Sequence, residues 1–221
     1  MTGIKRLDVD AAYQVETPND NVQLYKQWAS TYDDDFVDRT NYVQFQHVAD
    51  ALARHQKETG AAVLDVGCGT GIVGVALNKN GFERVDGIDI SPEMLRVAAD
   101  KRTASGSSVY RALLEADLTK RIDLADDTYA GIVSAGTFTH GHLGPESLDE
   151  LFRVAAPRAW LVITVRSTHY ESAGFAAKLG ADVAAGLISE PKLIEINVYA
   201  PDSPDAAHAD DKAMLVICQV T

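Results

Sequence analysis

Three glycines at alternate positions, Gly67, Gly69 and Gly71, form the part of this sequence whose residue types and spacing most clearly point to chemistry. They follow the apolar residues 61–64 and the acid Asp65, and an apolar helix start comes directly after them. Glycine lets a backbone turn sharply and approach a ligand with no Cβ between them. The helix that follows directs its unpaired N–H groups toward an anionic group of that ligand. The pattern therefore predicts a strand, a cofactor-binding loop and a helix.

Two cofactors are compatible with this loop, and they differ in where the motif starts. Residues 69–74 satisfy G-x-G-x-x-G, the dinucleotide fingerprint, and Asp89 lies about 20 residues further on. Read from Asp65, the sequence is D-x-G-x-G-x-G, with a carboxylate just before the first glycine. A pyrophosphate disfavours a nearby carboxylate, whereas S-adenosylmethionine (SAM) carries an ammonium group that a carboxylate attracts. The position of Asp65 therefore favours SAM over NAD.

The D-x-G-x-G-x-G reading resembles motif I of the class I SAM-dependent methyltransferases, and residues 87–95, G-I-D-I-S-P-E-M-L, resemble motif II. Asp89 ends a predicted strand in this stretch, and Ser91 is suited to cap the helix that follows. The resemblance implies that Asp89 accepts hydrogen bonds from the ribose hydroxyls. It also implies that Ile90 and Met94 pack on the adenine ring.

A third stretch, residues 116–118, reads Ala-Asp-Leu after a predicted strand and resembles the motif III turn of the same family. The resemblance implies that Asp117 accepts a hydrogen bond from the adenine amino group. It covers residues 22–221 and implies SAM as the cofactor, with S-adenosylhomocysteine (SAH) as the product. The predicted cofactor-binding residues are Tyr32, Asp65, Gly67, Cys68, Gly69, Gly71, Asp89, Ile90, Met94, Asp117, Leu118 and Ser134.

Strand and helix patterns alternate through the rest of the chain, which predicts a parallel, doubly wound sheet. Two final strand patterns with no helix between them predict an antiparallel hairpin. The expected fold class is therefore α/β, a Rossmann-like seven-stranded, mostly parallel sheet with helices on both faces and a C-terminal antiparallel hairpin. Residues 1–58 are expected to form an N-terminal helical lid segment and residues 59–221 the SAM-binding core of a single domain. The later predicted elements are strands 84–90, 109–113, 129–138, 159–165, 193–199 and 214–220, a helix 146–156 ended by Pro157, and a helix 171–179 ended by Gly180.

Three aromatic residues near the N-terminus, Tyr25, Trp28 and Tyr32, recur at spacings that place them on one helix face. Either this face packs on the core, or it forms a lid whose rings stabilise a sulfonium and exclude water. Their segment, Y-x-x-W-A-x-x-Y-D, resembles the lead-in of small-molecule methyltransferases, specifically the Williams–Beuren-region methyltransferase-like group. The resemblance implies that Tyr32 reaches the SAM carboxylate. The aspartates at 33–35 are expected at a solvated helix end.

Histidines follow the fourth and fifth predicted strands, at the sheet edge where α/β proteins bind substrates. His140 and His142 lie in residues 136–145, which resemble the same methyltransferase-like group. Methyl transfer is an in-line displacement that depends mainly on positioning, and it needs a base only where the acceptor arrives protonated. Histidine suits that role near neutral pH, so His140 and His142 are candidate catalytic residues, unless they only cap backbone groups in a turn. The predicted substrate pocket contains Tyr25, Trp28, Phe138 and His169.

The composition of this 221-residue chain limits the classes of substrate and partner that we expect for it. Its net charge is −12 and it has no basic cluster, which disfavours nucleic-acid substrates and suits a small-molecule acceptor. It has neither a run of about 18 apolar residues nor an apolar N-terminal signal, so we expect a cytoplasmic protein without a membrane partner. The two cysteines and scattered histidines show no disulfide framework and no metal-ligand spacing.

These observations predict a SAM-dependent methyltransferase that acts on an O, N or S atom of a small molecule. Two alternatives remain. An NAD-dependent oxidoreductase would follow from the other glycine register, but the Tyr-x-x-x-Lys pair of single-domain reductases is absent. The other alternative is a non-catalytic SAM-binding regulatory protein. The sequence leaves the acceptor, its accepting atom and the oligomeric state open.

Overall fold

The computed structural model describes residues 17–205 and 207–221, and a seven-stranded sheet in the order β3-β2-β1-β4-β5-β7-β6 lies at its centre. The strands are β1 Val63–Val66, β2 Val85–Asp89, β3 Tyr110–Glu115, β4 Tyr129–Phe138, β5 Ala155–Arg166, β6 Lys192–Asn197 and β7 Lys212–Gln219. The helices are α1 Pro18–Trp28, α2 Gln44–His55, α3 Ile72–Lys79, α4 Pro92–Ala99, α5 Leu148–Val154, α6 Ser167–Ser172 and α7 Phe175–Ala184. A π-helical segment, Asp33–Asp38, follows α1, and a 3-10 turn, Pro145–Ser147, precedes α5.

Strands β1 to β5 run parallel, and β7 lies between β5 and β6, antiparallel to both. This arrangement confirms the predicted Rossmann-like sheet with a C-terminal antiparallel pair. Successive side chains of a strand point to opposite faces, so Val63 and Leu64, both fully buried, belong to different core clusters. Helix α2 packs Val48 and Leu52 on the Val63 face, and α5 packs Leu148 on the other. Helices therefore cover both faces.

The predicted end of one helix at Pro157 is wrong. Helix α5 ends at Val154, and Ala155 already begins β5, so Pro157 lies within the strand. Pairing between β4 and β5 is irregular here, because Tyr129 pairs with Ala155 whereas Gly131 pairs with Trp160. A proline, which has no N–H to donate, is tolerated in a strand at such an irregularity.

The predicted stop at Gly180 is also wrong, because the structure breaks the helix at Gly174 instead. Gly174 has φ of 87° and caps the start of α7, while Gly180 lies inside that helix. A left-handed φ costs glycine little, which makes Gly174 the natural break. An added Cβ at Gly180 would meet nothing within 4 Å, so this exposed glycine interrupts nothing.

Two helical glycines should respond in opposite directions to alanine. A Cβ on Gly74 in α3 would lie 2.4 Å from Cζ of Tyr110, whereas Gly180 in α7 has open space around it. We expect Gly74→Ala to lower the free energy of unfolding by about 1–3 kcal/mol through overpacking. Gly180→Ala should raise it by about 0.5–1 kcal/mol, the usual gain from helix propensity. Urea unfolding of both variants checks this, and stabilisation by Gly74→Ala would contradict the packing.

The N-terminal segment is held to the sheet near its C-terminal end. Tyr42 forms an isolated β-bridge with Tyr199, and Val43 donates its N–H to the carbonyl of Val198 at 3.1 Å. Thr17 caps α1 at the other end through a reciprocal hydrogen bond with Asp20. Between these points, α1 and the π-helical segment lie over the carboxyl ends of the strands. Within the residues that the structure describes, no helix is long and apolar enough to cross a bilayer.

Candidate active site

A cavity of about 1260 Å³, its open mouth included, lies where the glycine loop, the ends of β2 and β4 and helix α1 meet. Twelve of the predicted site residues line it, namely Tyr25, Trp28, Tyr32, Gly67, Gly69, Asp89, Ile90, Met94, Asp117, Leu118, Phe138 and His142. Six do not, namely Asp65, Cys68, Gly71, Ser134, His140 and His169. The cavity therefore joins the loop that the sequence identifies with a cofactor and the aromatic face that it identifies with a lid.

The glycine loop has the geometry that its sequence predicts. Gly67, Gly69 and Gly71 have φ of 63°, 53° and 92°, the left-handed region that favours glycine. A Cβ on Gly67 would lie 2.2 Å from Oγ1 of Thr137, so this position also needs the missing side chain for space. Gly71 caps the start of α3 away from the cavity, and Cys68 is buried behind the loop, where burial raises the pKa of its thiol.

Asp89 lies at the end of β2 with its carboxylate beside the loop. Its Oδ2 accepts the N–H of Gly69 and its Oδ1 accepts the N–H of Ser91, each at 2.8 Å. Burial raises the pKa of this carboxyl, while the two backbone donors oppose that rise. Each carboxylate oxygen has a further lone pair with which to accept a ligand hydroxyl.

The adenine side of the predicted site is apolar with one acid at its edge. Ile90 and Met94 line the cavity beside Leu118, and Met94 is buried in the first turn of α4, which Ser91 caps. Asp117 accepts the N–H of Thr119 at 3.0 Å, which fixes its carboxylate at the rim. Apolar side chains for a ring, two carboxylates for hydroxyl and amino donors, and the open loop fit the adenosine part of SAM.

Asp65 is oriented away from the cavity. Its Oδ2 accepts the hydroxyl of Tyr110 at 2.6 Å, its Oδ1 has no hydrogen-bond partner among the described residues, and the side chain is fully buried. Burial raises the pKa of this carboxyl to about 7. Ser134, also buried, donates its hydroxyl to the carbonyl of Val66 at 2.8 Å. Both residues therefore support the loop from behind, and a direct contact of either with SAM stays a prediction.

The buried carboxyl of Asp65 should make stability fall as pH rises. Its pKa is 3.8 when unperturbed and about 7 in the folded protein, so between these values the folded state binds the extra proton. We expect Asp65→Asn to flatten the pH dependence between about pH 5 and pH 8, removing about 2–3 kcal/mol of change in the free energy of unfolding. Urea unfolding at several pH values measures this. Parallel curves for Asp65→Asn and the unchanged protein would contradict it.

Aromatic rings form the other end of the cavity. Tyr25 and Trp28 stack with centroids 6.4 Å apart, and Trp28 meets Tyr32 edge to face at 5.1 Å. Trp28 is buried, and its Nε1–H has no hydrogen-bond partner among the described residues. The sequence did not single out three further rings that continue this wall, namely Phe36, Tyr42 and Tyr199. Tyr199 comes from the far end of the chain, so no local pattern indicates it.

Asp33 ties the aromatic segment to the glycine loop. Its Oδ1 accepts the hydroxyl of Thr70 at 2.5 Å, and its Oδ2 pairs with the ammonium group of Lys101. The expectation of a solvated helix end is therefore wrong for Asp33, which is only 29% exposed. Its neighbour Asp34 is exposed. Nothing in the run of three aspartates distinguishes the one that folding brings to the loop.

Breaking this link should loosen the N-terminal segment. We expect Asp33→Ala to speed amide hydrogen exchange across residues 18–38 by about fivefold to tenfold, because it removes a charge-assisted hydrogen bond and a partly exposed ion pair. The strands of the sheet should exchange at unchanged rates. Asp34→Ala is the matched control and should leave residues 18–38 as they are. Equal exchange in both variants would show that Asp33 holds nothing in place.

The three candidate histidines have different surroundings. His142 lines the cavity, its Nδ1 lies 3.2 Å from the carbonyl oxygen of His140, and its Nε2 lies 3.3 Å from the hydroxyl of Tyr25. His140 is exposed and pairs with the Thr168 hydroxyl at 3.2 Å. His169 is buried, with its Nε2 2.9 Å from the Leu143 carbonyl oxygen.

Among these histidines, His142 alone faces the cavity. A carbonyl oxygen only accepts hydrogen bonds, so Nδ1 of His142 carries the proton and Nε2 is left as the acceptor of the Tyr25 hydroxyl. Burial lowers the pKa of His142, which keeps the ring neutral near pH 7. The structure therefore presents one basic nitrogen to the cavity. The catalytic roles of His140 and His142 and the pocket role of His169 stay predictions.

The cavity is also lined by polar residues outside the predicted set, among them Gln44 and Arg166. Gln44 accepts the hydroxyl of Thr164 at 2.5 Å, and Arg166 pairs with Asp211 at 3.0 Å. Arg166 ends β5, the sheet edge at which ligands bind, so its position was a usable signal. Gln44 begins α2, and no motif marks it. Among the described residues, no three His, Cys, Asp or Glu side chains are arranged to hold a metal ion.

The chain is similar in sequence to known methyltransferases. Residues 63–158 match the family described as "Methyltransferase domain". The human methyltransferase-like protein 27 is 28% identical over 165 residues, which cover 73% of this chain and 64% of that protein. The ribosomal protein L11 methyltransferase of Pseudomonas aeruginosa is 32% identical over 121 residues, 52% of this chain and 41% of that protein. The chain thus spans less than two thirds of either relative.

The fold is shared with solved structures as well. The [4+2]-cyclase SpnF superposes with a TM-score of 0.67 at 15% sequence identity, covering 93% of this chain and 97% of that one. At this identity the likeness shows the fold alone. Because that neighbour bears the name of a cyclase, the reaction has to be argued from the residues of the cavity.

Proposed function

We propose that this chain, whose residues 63–158 match the family described as "Methyltransferase domain", transfers a methyl group from SAM to an O, N or S atom of a small-molecule acceptor. The single observation that supports this most is the composition of the cavity. One end offers the loop and carboxylates suited to adenosine, and the other offers aromatic rings and the basic nitrogen of His142.

Bound SAM supplies a methyl group made electrophilic by the sulfonium. The residues of this chain exclude water from the reacting groups and align them. The rings of Tyr25, Trp28 and Tyr32 cover the cavity, where they exclude water and favour a positive charge through their π faces. The fixed loop and lid align the two reactants, which is the main source of rate in a displacement of this kind.

A small acceptor is supported by the enclosure of the aromatic end. Trp28 is 1% exposed, Tyr42 7% and Tyr199 1%, so these rings lie beneath the surface that a folded protein substrate would touch. The related L11 enzyme is named for a protein substrate, and the acceptor class therefore needs its own test. In a cell extract supplied with methyl-labelled SAM, we expect label in the small-molecule fraction. Label confined to protein would contradict this part of the proposal.

The cofactor is tested by calorimetric titration with SAM, SAH and NAD in parallel. We expect micromolar binding of SAM and SAH and no binding of NAD, as loop and carboxylates suit adenosine attached to an amino acid. Binding of NAD without binding of SAM would support the oxidoreductase alternative. SAM binding without transfer to any acceptor would support a regulatory role. The cytoplasmic location and the absence of nucleic-acid and membrane partners stay predictions from composition.

A further inference from the structure

The cavity contains a hydrogen bond between Tyr25 and His142. Tyr25 places its phenol hydroxyl 3.3 Å from Nε2 of His142, and the two rings lie 6.1 Å apart. Since Nδ1 of His142 is engaged by the carbonyl of His140, the hydroxyl is the donor and Nε2 the acceptor. The cavity thus already contains a phenol that donates to its basic nitrogen.

We propose that the methyl acceptor is an aromatic hydroxyl compound, whose ring enters the aromatic end of the cavity and whose hydroxyl replaces that of Tyr25 at Nε2 of His142. This inference rests on the proposed methyltransferase function and narrows its acceptor class. An aromatic ring suits a wall made of Tyr25, Trp28, Phe36, Tyr42 and Tyr199, because offset and edge-to-face ring contacts add to the burial of apolar area.

Charge on the cavity wall favours a neutral hydroxyl over an amine. Among the described lining residues, the carboxylates of Asp89 and Asp117 lie at the loop end, and the charge of Arg166 at the aromatic end is already balanced by Asp211 at 3.0 Å. An alkylammonium acceptor would therefore find no carboxylate left to pair with among the described lining residues of the aromatic end. A neutral phenol requires only an acceptor for its proton, and Nε2 of His142 provides one.

The chemical step balances with these groups. As the phenol oxygen forms its bond to the methyl carbon, its O–H bond breaks and the proton moves to Nε2 of His142. The S–CH3 bond breaks with its electron pair left on sulfur, which gives the neutral thioether SAH. His142 then carries both ring protons and returns one to solvent before the next turnover. No oxidant, reductant or metal is needed.

The test measures binding, so it does not depend on turnover. 4-Nitrophenol and 4-nitroanisole have the same ring, and only the first has a hydroxyl to donate, which stays mostly protonated at about pH 6, where both are titrated. We titrate both calorimetrically into the full chain, with and without SAH, and expect the phenol to bind about threefold to tenfold more tightly, the usual contribution of one hydrogen bond. His142→Gln should remove the preference, and His47→Gln, outside the cavity in α2, should keep it.

Tyr25→Phe should change the affinity for the phenol in the opposite direction to His142→Gln. It keeps the ring but removes the competing hydroxyl, so 4-nitrophenol should bind severalfold more tightly than to the unchanged protein. A merely structural Tyr25 would give equal or weaker binding. Thermal unfolding confirms that each variant is folded.

Three results would overturn the phenol assignment. The first is equal affinity for the two probes in the unchanged protein, and the second is a preference that survives His142→Gln. Tighter binding of 4-nitrobenzylamine than of 4-nitrophenol would also overturn it in favour of an amine. All three leave the proposed function standing if SAH binds. Loss of SAH binding would contradict the proposed function itself, and the probe titrations without SAH would still decide the phenol preference.

Discussion

Replacing Asp89 by alanine is expected to weaken the binding of SAM and SAH by about a hundredfold to a thousandfold, because each hydrogen bond to a charged group contributes about 1.5–3 kcal/mol. The carboxylate lies at the end of β2 and already accepts the N–H groups of Gly69 and Ser91. It therefore positions the loop and the start of α4, and we propose that its remaining lone pairs accept the ribose hydroxyls. Calorimetric titration with SAH measures the loss directly.

Two controls separate binding from folding in this experiment. Asp89→Asn keeps the shape but replaces one acceptor oxygen by a donor, so we expect intermediate affinity. Asp100→Ala changes an exposed aspartate at the end of α4 and should leave the affinity unchanged. Unaltered SAH binding by a folded Asp89→Ala variant would show that the cofactor does not use this carboxylate.

His142→Gln is expected to lower kcat by about 10²–10⁴, the usual contribution of a general base. The effect requires an acceptor that arrives protonated, such as a phenol. Glutamine keeps a polar group of similar length in the cavity but has no nitrogen that accepts a proton near neutral pH. The KM of the His142→Gln variant for the acceptor should change much less than its kcat, since the aromatic rings of the cavity still bind the acceptor. Initial rates with a phenol and SAM provide the measurement.

The pH profile identifies the proton acceptor. Burial lowers the pKa of His142 below the usual value for histidine, so the neutral ring dominates at and above neutral pH. The rate should be level there and should fall as pH decreases through that lowered pKa, because protonation blocks Nε2. The His142→Gln variant should not show this decrease in rate at acidic pH. If His142→Gln showed the same decrease in rate at acidic pH, the titration would belong to another group.

The conformation of the glycine loop and the helix cap beside it could be predicted because their signals are local. Gly67, Gly69 and Gly71 need their left-handed backbone within one short loop, and Ser91 caps the helix that starts beside it. The strand pattern likewise predicted β4 with its bounds, since a buried strand is marked by consecutive apolar residues. Such features depend on neighbours in sequence, and a single chain displays them.

Features that depend on distant neighbours escaped prediction. Asp65 and Asp89 are both strand-end acids, yet packing turns one toward Tyr110 and the other toward the loop. Tyr199 joins the cavity through pairing at the end of β6, and Gln44 through a hydrogen bond to β5. The chain breaks at Gly174, which has a left-handed φ, and continues as a helix through Gly180. Spacing alone cannot distinguish these cases.

The contact between Asp33 and Thr70 makes the two ends of the cavity thermodynamically interdependent. One hydrogen bond joins the aromatic segment to the glycine loop. A ligand that rigidifies one of them therefore also restricts the other, which lowers the entropic cost of binding a second ligand there. Such coupling is reciprocal, which means that SAH must strengthen acceptor binding by the same factor by which the acceptor strengthens SAH binding. We therefore expect ordered turnover, in which departure of the methylated product loosens the loop for exchange of the spent cofactor.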